Sequence, residues 1–141
     1  LIADAMATLA DGFGEREAAT LMMHDQWQRE PWRRRTVGAD KAYDSFEFVD
    51  LMREVHTTPH VTQNVAGPGG SAIDGRTTRH EGYAMSQHAR PRIEPAFGWL
   101  KTIAWMRKVK LRGLPKVDWL FVFASAAFNL IRLPKLLAQP V

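Results

Sequence analysis

The sequence predicts an α/β domain. Short strand-like apolar runs alternate with stretches of helical periodicity, and the second half of the chain is dominated by long helical patterns. The 141 residues, 45% of them hydrophobic, suffice for one domain around one core. A charged fraction of 24% is that of an ordinary globular domain rather than a disordered chain. There is no cysteine, which excludes a disulfide framework and a thiolate metal site and fits a reducing cytosol.

Residues 1–9 alternate weakly and read as a strand, closed by a turn at Asp11 and Gly12. Residues 15–28 are helical in pattern, with Ala18, Leu21, Met22 and Trp27 toward one side. A basic loop with Pro31 follows over 29–35, then a short buried strand over 36–39 that ends at Asp40. Asp44 with Glu47 three residues on reads as a capping box. It opens a helix to about Val55, with Phe48, Leu51, Met52 and Val55 inward. Residues 58–62 read as a second strand. Residues 64–86 are glycine-rich, polar and aperiodic, and are expected to form a loop that is functional or mobile. A helix is expected over 91–108, a break at Gly113 and Pro115, and a last helix over 116–132 with Pro134 as its stop.

Charge is unevenly spread. Residues 1–85 carry nine Lys/Arg against thirteen Asp/Glu, whereas residues 86–141 carry ten against two. The C-terminal part is therefore strongly basic, which fits a polyanionic partner such as nucleic acid or, equally, a solvated helix face. The apolar stretch over 117–133 is interrupted by Asp118, Ser125, Asn129 and Arg132, so no membrane span is expected. The start of the chain has no basic leader and reads as having no signal peptide; the lack of an initiating Met points to a fragment or a processed chain.

The tract RPRIEPAFGWLK at 90–101 is the most informative. On a helix, Arg90, Glu94 and Lys101 fall within about 40° of one another, beside an apolar face of Ile93, Phe97, Leu100 and Ala104. One carboxylate between two cations suits holding a divalent cation while the cations hold phosphate.

This R-x3-E-x6-K spacing, preceded by VGADKAYD at 37–44, resembles the catalytic core of DDE transposases, specifically the IS5 group of the IS4-like insertion-sequence transposases. TPHVTQN (58–64), SAIDGRTTRH (71–80), FGWLKT (97–102) and AAFNLIRLPKLL (126–137) resemble that group too, so the likeness runs through nearly the whole chain. It implies an incomplete RNase H-like domain, with short strands, helices on both sides and long C-terminal helices. In that fold the second acid ends a strand and the third sits on a helix, the places of Asp40 and Glu94. It implies two Mg²⁺ or Mn²⁺ ions in the intact enzyme, driving phosphodiester cleavage and strand transfer at the terminal inverted repeats of an insertion sequence.

By the same resemblance, Asp40 and Glu94 are the catalytic, metal-holding residues, and Arg90, Arg92, Lys101 and Lys108 contact DNA phosphates. Double-stranded DNA is the partner, a homodimer the active assembly, and the bacterial cytoplasm and nucleoid the setting; no membrane is involved. The family's first Asp has no counterpart, since Asp4 and Asp11 fall in the wrong place. The chain is therefore expected to be a C-terminal portion with little cleavage activity alone, or a remnant that binds DNA or dimerises. The wider group often has Tyr three residues before the Arg, where this chain has Gln87. Pro95 requires either that the helix start there, capped by Glu94, or that it be kinked.

Other candidates have plainer readings. The five histidines show no zinc spacing, and Gly67 to Gly70 lacks the Lys and Ser/Thr of a phosphate-binding loop. Arg33, Arg34 and Arg35 suit a phosphate backbone or a solvated loop equally. Trp99, Trp105 and Trp119 are expected in the core.

Overall fold

The computed structural model describes residues 1–67 and 69–138. They form two units, residues 15–91 and residues 1–14 with those from 92 on.

The unit at 15–91 is built on a strand–helix–strand motif. β1 (Arg35–Ala39) and β2 (Thr57–Val61) pair in parallel, Arg35 opposite Thr57 and Ala39 opposite Val61. Parallel strands need a long crossover, and α2 (Phe46–Glu54) supplies it. The bonds Arg35 N–H to the His56 carbonyl and Thr62 N–H to the Ala39 carbonyl turn the even-numbered groups of β2 toward β1. Pro59 thus falls on the other edge, where its missing N–H costs no ladder bond.

One face of the sheet carries the core. Phe48, Val49, Met52 and Val55 pack with Val61, Ala72 and Ile73, and Val37, Ala39, Tyr43, Met23 and Trp27 close around them. Burying a side chain the size of Met52 or Ile73 contributes about 1.5–3 kcal/mol. α1 (Gly14–Arg29) adds Ala18, also buried. On the opposite face, Gly38 and His60 lie under α4 (Glu81–Ala89).

Several expectations for this unit change. β1 is half-exposed rather than buried, because alternate residues face solvent. Val49, not Leu51, joins the inward face of α2. The cap of α2 is Ser45, whose hydroxyl accepts the Phe48 N–H, not Asp44. The Asp44 carboxylate is committed elsewhere, accepting the N–H of Asn64 at 2.6 Å and of Ala72 at 2.9 Å. It therefore pins both ends of the chain that returns from β2. The expected loop over 64–86 is real only in its first half, since α3 (Gly75–Thr78) and α4 occupy the rest. α4 escapes a periodicity search because none of its residues is fully buried. It is held by hydrogen bonds rather than by an apolar stripe.

In the other unit, residues 1–9 form no strand. They lie as an extended strap antiparallel to α6 (Leu114–Leu137). Both amide groups of Ile2 bond to the Asn129 side chain at 2.7 Å, and Ala7 N–H donates to Asp118 at 2.7 Å. The spacing matches: eleven residues of helix rise about 16.5 Å, the span of about five extended residues. A helix supplies these partners, so the alternation that reads as a strand reflects extended backbone without a sheet.

The helix expected over 91–108 is divided. Residues Arg90–Ile93 form a 3₁₀ turn, α5 covers Glu94–Thr102, and Met106–Lys108 form another 3₁₀ turn. Pro95 sits in the first turn of α5, where its missing N–H is harmless. The helix therefore starts there, with Ile93 rather than Glu94 as cap. Ala96 and Leu100 are its buried residues, while Ile93 and Phe97 are exposed. Trp99 packs on Phe128 of α6 at 5.5 Å between ring centroids. Trp105, 83% exposed and left-handed in backbone, and Trp119, stacked on exposed Phe123, are not core residues. α6 begins after Gly113, whose φ of +92° demands glycine, and continues through Pro134 rather than stopping before it. By length and composition alone α6 is apolar enough to cross a bilayer, even with the polar residues that interrupt it.

Candidate functional site: the carboxyl end of the parallel sheet

Asp40 follows the last residue of β1. Its carboxylate is exposed and caps the 3₁₀ turn Lys41–Tyr43, accepting the Ala42 N–H at 2.8 Å through Oδ1. This is the turn-residue role open to any Asp at a strand end. It still leaves Oδ2 without a hydrogen bond among the described residues. The pKa of the neighbouring Tyr43 phenol is pushed up, first by its own burial and then by the carboxylates of Glu15 and Asp40.

The strand end beneath Asp40 is held by a polar relay. Arg90 donates through Nη1 to the Ala39 carbonyl at 3.2 Å and to the Thr62 hydroxyl. Thr62 donates to Gln87 Oε1 at 2.7 Å, and Gln87 Nε2 donates to the His60 carbonyl at 2.7 Å. Tyr83 donates to the Val61 carbonyl at 3.0 Å. Tyr83, Gln87 and Arg90 thus stand one or two turns apart on one side of α4 and the turn after it. Gln87 uses both ends of its amide here, a role a phenol could not fill.

His60 completes the relay from the sheet side. Its Nδ1 lies 2.7 Å from Ser86 Oγ and its ring meets Tyr83 edge-on. Burial holds its pKa below the usual imidazole value, partly offset by a bond to the Gly82 backbone. Thr62 and Gln87 are structural residues that the sequence leaves unmarked, and Asp44 is marked there only as a helix cap. Their signal was present only as short polar residues inside longer motifs.

The remaining candidates belong to the other unit. Glu94 occupies the first turn of α5 and Lys101 its last, each complementing the helix dipole. Seven residues apart, they share one face of the helix. Arg90 does not extend that stripe in helical register, because the 3₁₀ turn Arg90–Ile93 intervenes. Arg92, Lys101 and Lys108 are exposed, and Glu94 is exposed as well. Among the described residues, no Lys or Arg from Arg90 onward forms an ion pair with a carboxylate. No group of three or more Asp, Glu or His that could hold a metal occurs among the described residues.

A carboxylate at a strand's carboxyl end, a second acid on a helix and a set of cations without ion pairs among the described residues agree with one finding about relatives. A family model described as a transposase DDE domain matches residues 53–134, more than half of the chain, and the chain belongs to that family. The match contains Arg90, Arg92, Glu94, Lys101 and Lys108, and begins after Asp40. Membership implies transposition with DNA as substrate, by chemistry that in this family generally depends on divalent metal. Neither the curated proteins nor the solved structures contain a match.

Proposed function

We propose that the chain is a catalytic portion of an insertion-sequence transposase of the IS5 group, with an RNase H-like domain. It acts in metal-dependent cleavage and strand transfer at the element's terminal inverted repeats. The observation that carries this reading is Asp40 at the carboxyl end of a parallel strand, the end at which open α/β sheets hold their ligands.

The donor set suits a hard cation. Asp40 retains a carboxylate oxygen free of internal hydrogen bonds among the described residues, and Glu94 is an exposed carboxylate. Mg²⁺ is commonly held by one or two carboxylates together with substrate phosphates and water. Asp40 and Glu94 would hold the metal; when bound, it supplies charge for the phosphorus under attack and for the leaving oxygen. The chain's own residues do the rest. Arg90 and Thr62 fix the strand end that presents Asp40. Arg92, Lys101 and Lys108 bind DNA phosphates and orient the strand. The protein works as a homodimer in the cytoplasm, on nucleoid DNA; exposed Trp119, Phe123, Leu130 and Leu137 on α6 support such an association.

The reading is tested on duplex DNA carrying the terminal repeat. Lys101→Ala weakens binding about tenfold or less and equally for all sequences, as for a phosphate contact. Glu94→Gln leaves DNA affinity unchanged and removes the Mn²⁺ dependence of the complex. A Glu94→Gln protein that binds Mn²⁺ as the parent does contradicts the assignment.

A further inference from the structure

A cavity of about 310 Å³ opens at the opposite end of the same sheet, lined by Arg34, Arg53, His56, Thr57, Thr58, Pro59 and Thr77. Thr57, Pro59 and Thr77 are buried and form its floor, while Arg34, His56 and Thr58 are exposed at its mouth. Arg34 makes no ion pair among the described residues. Arg53 reaches Asp50 only at 3.5 Å, and the nearby Asp74 is committed to Arg76 at 2.7 Å. Two guanidinium groups, an imidazole and hydroxyl donors around one concavity are the chemistry of a tetrahedral oxyanion site.

His56 gives a second, independent reason. It is one of two non-glycine residues with positive φ among the described residues, at +55°. It stands just past the cap of α2, its N–H bonded to the Arg53 carbonyl, the place where helices favour glycine. A left-handed histidine there is strained, and strain of this kind gathers at functional positions. What the chain retains at that cost is an imidazole at the mouth of a cationic cavity.

We propose that this cavity binds a phosphate group, and that its source is the DNA backbone. The second part rests on the transposase reading above. Strands of five residues place the cavity about 16 Å from the Asp40 end. That distance equals the axial rise of about five base pairs, so a duplex engaged at Asp40 is long enough to present a backbone phosphate to the cavity. The site would add a grip remote from the reacting phosphate.

Two measurements on the full chain decide it. Inorganic phosphate is titrated while the amide resonances of Thr57, Thr58 and Thr77 are followed by NMR. Saturable shifts are expected, with affinity about tenfold weaker in Arg34→Gln/Arg53→Gln. His56→Gly is expected to raise the unfolding midpoint while weakening phosphate binding, a pairing that a merely structural histidine would not give. In parallel, the salt dependence of duplex binding is compared; the double variant should lower the slope of log affinity against log salt by about one to two, and Arg29→Gln should not. No shifts, or shifts unchanged in the double variant, overturn the site. Phosphate binding with an unchanged salt slope overturns DNA as its source in favour of a free phosphate. If the parent chain binds no duplex at all, the transposase reading fails, while the titration still decides the cavity.

Discussion

Asp44 shows how one residue of a motif can serve the fold rather than the chemistry. Its two oxygens accept two part-buried backbone N–H groups, from Asn64 and Ala72. An amide in its place offers one acceptor and turns a donor toward the second N–H. Asp44→Asn should therefore cost about 1–3 kcal/mol, read from urea unfolding. Thr62→Val leaves Arg90 and Gln87 without their shared hydroxyl and should cost a similar amount, about 1–3 kcal/mol. His60 carries a pH dependence. Its pKa in the folded chain lies below the ordinary 6.5, so the unfolded chain takes up its proton first as pH falls. Stability is full above about pH 6.5 and is lost as pH drops through the folded value. A His60→Asn variant, which keeps a partner for Ser86, should lose less stability between pH 7 and pH 5 than the parent.

At the scale of elements, what can be read in the sequence depends on what holds each element in place. α2, β1 and β2 emerge within a residue or two of their pattern, because apolar periodicity on one face packs them into a shared core; α1 emerges in extent, but Leu21 is exposed and Met23 with Trp27 packs against the core in place of Leu21 and Met22. α4 is hidden because hydrogen bonds from Gln87 and Tyr83 hold it to β2, and such bonds leave no hydrophobic period. The strap at residues 1–9 mimics a strand for a related reason: Asn129 and Asp118 on α6 take the part of a neighbouring strand. Asn129→Ala removes two bonds to Ile2 and should lower stability by about 1–3 kcal/mol, with hydrogen exchange rising first in the strap. Pro95 is legible as a constraint and becomes a helix start; Pro134 is legible too, yet the last turn of α6 continues past it.

For the whole molecule, the charge asymmetry is plain in the sequence, and the structure adds that the basic part stays free of internal ion pairs among the described residues. Binding to duplex DNA should accordingly weaken steeply with salt, with a log–log slope of about −0.9 for each phosphate neutralised. A slope near zero would separate the basic surface from DNA. The candidate acids are legible only through the spacing of a tract and its resemblance to a family, since neither Asp40 nor Glu94 is marked by burial or by a cluster of ligands. Glu94 and Lys101 keep a common face as the periodicity requires, whereas Arg90 serves the sheet end through Ala39 and Thr62.

The proposed function requires that Asp40 and Glu94 serve one cation. A double-mutant cycle on Mn²⁺ affinity in the DNA-bound protein, with Asp40→Asn, Glu94→Gln and both together, tests it most directly. A shared ion predicts about a tenfold or greater loss for each single change and little further loss for the pair. Losses that multiply, or single changes that leave Mn²⁺ affinity as it was, would contradict it.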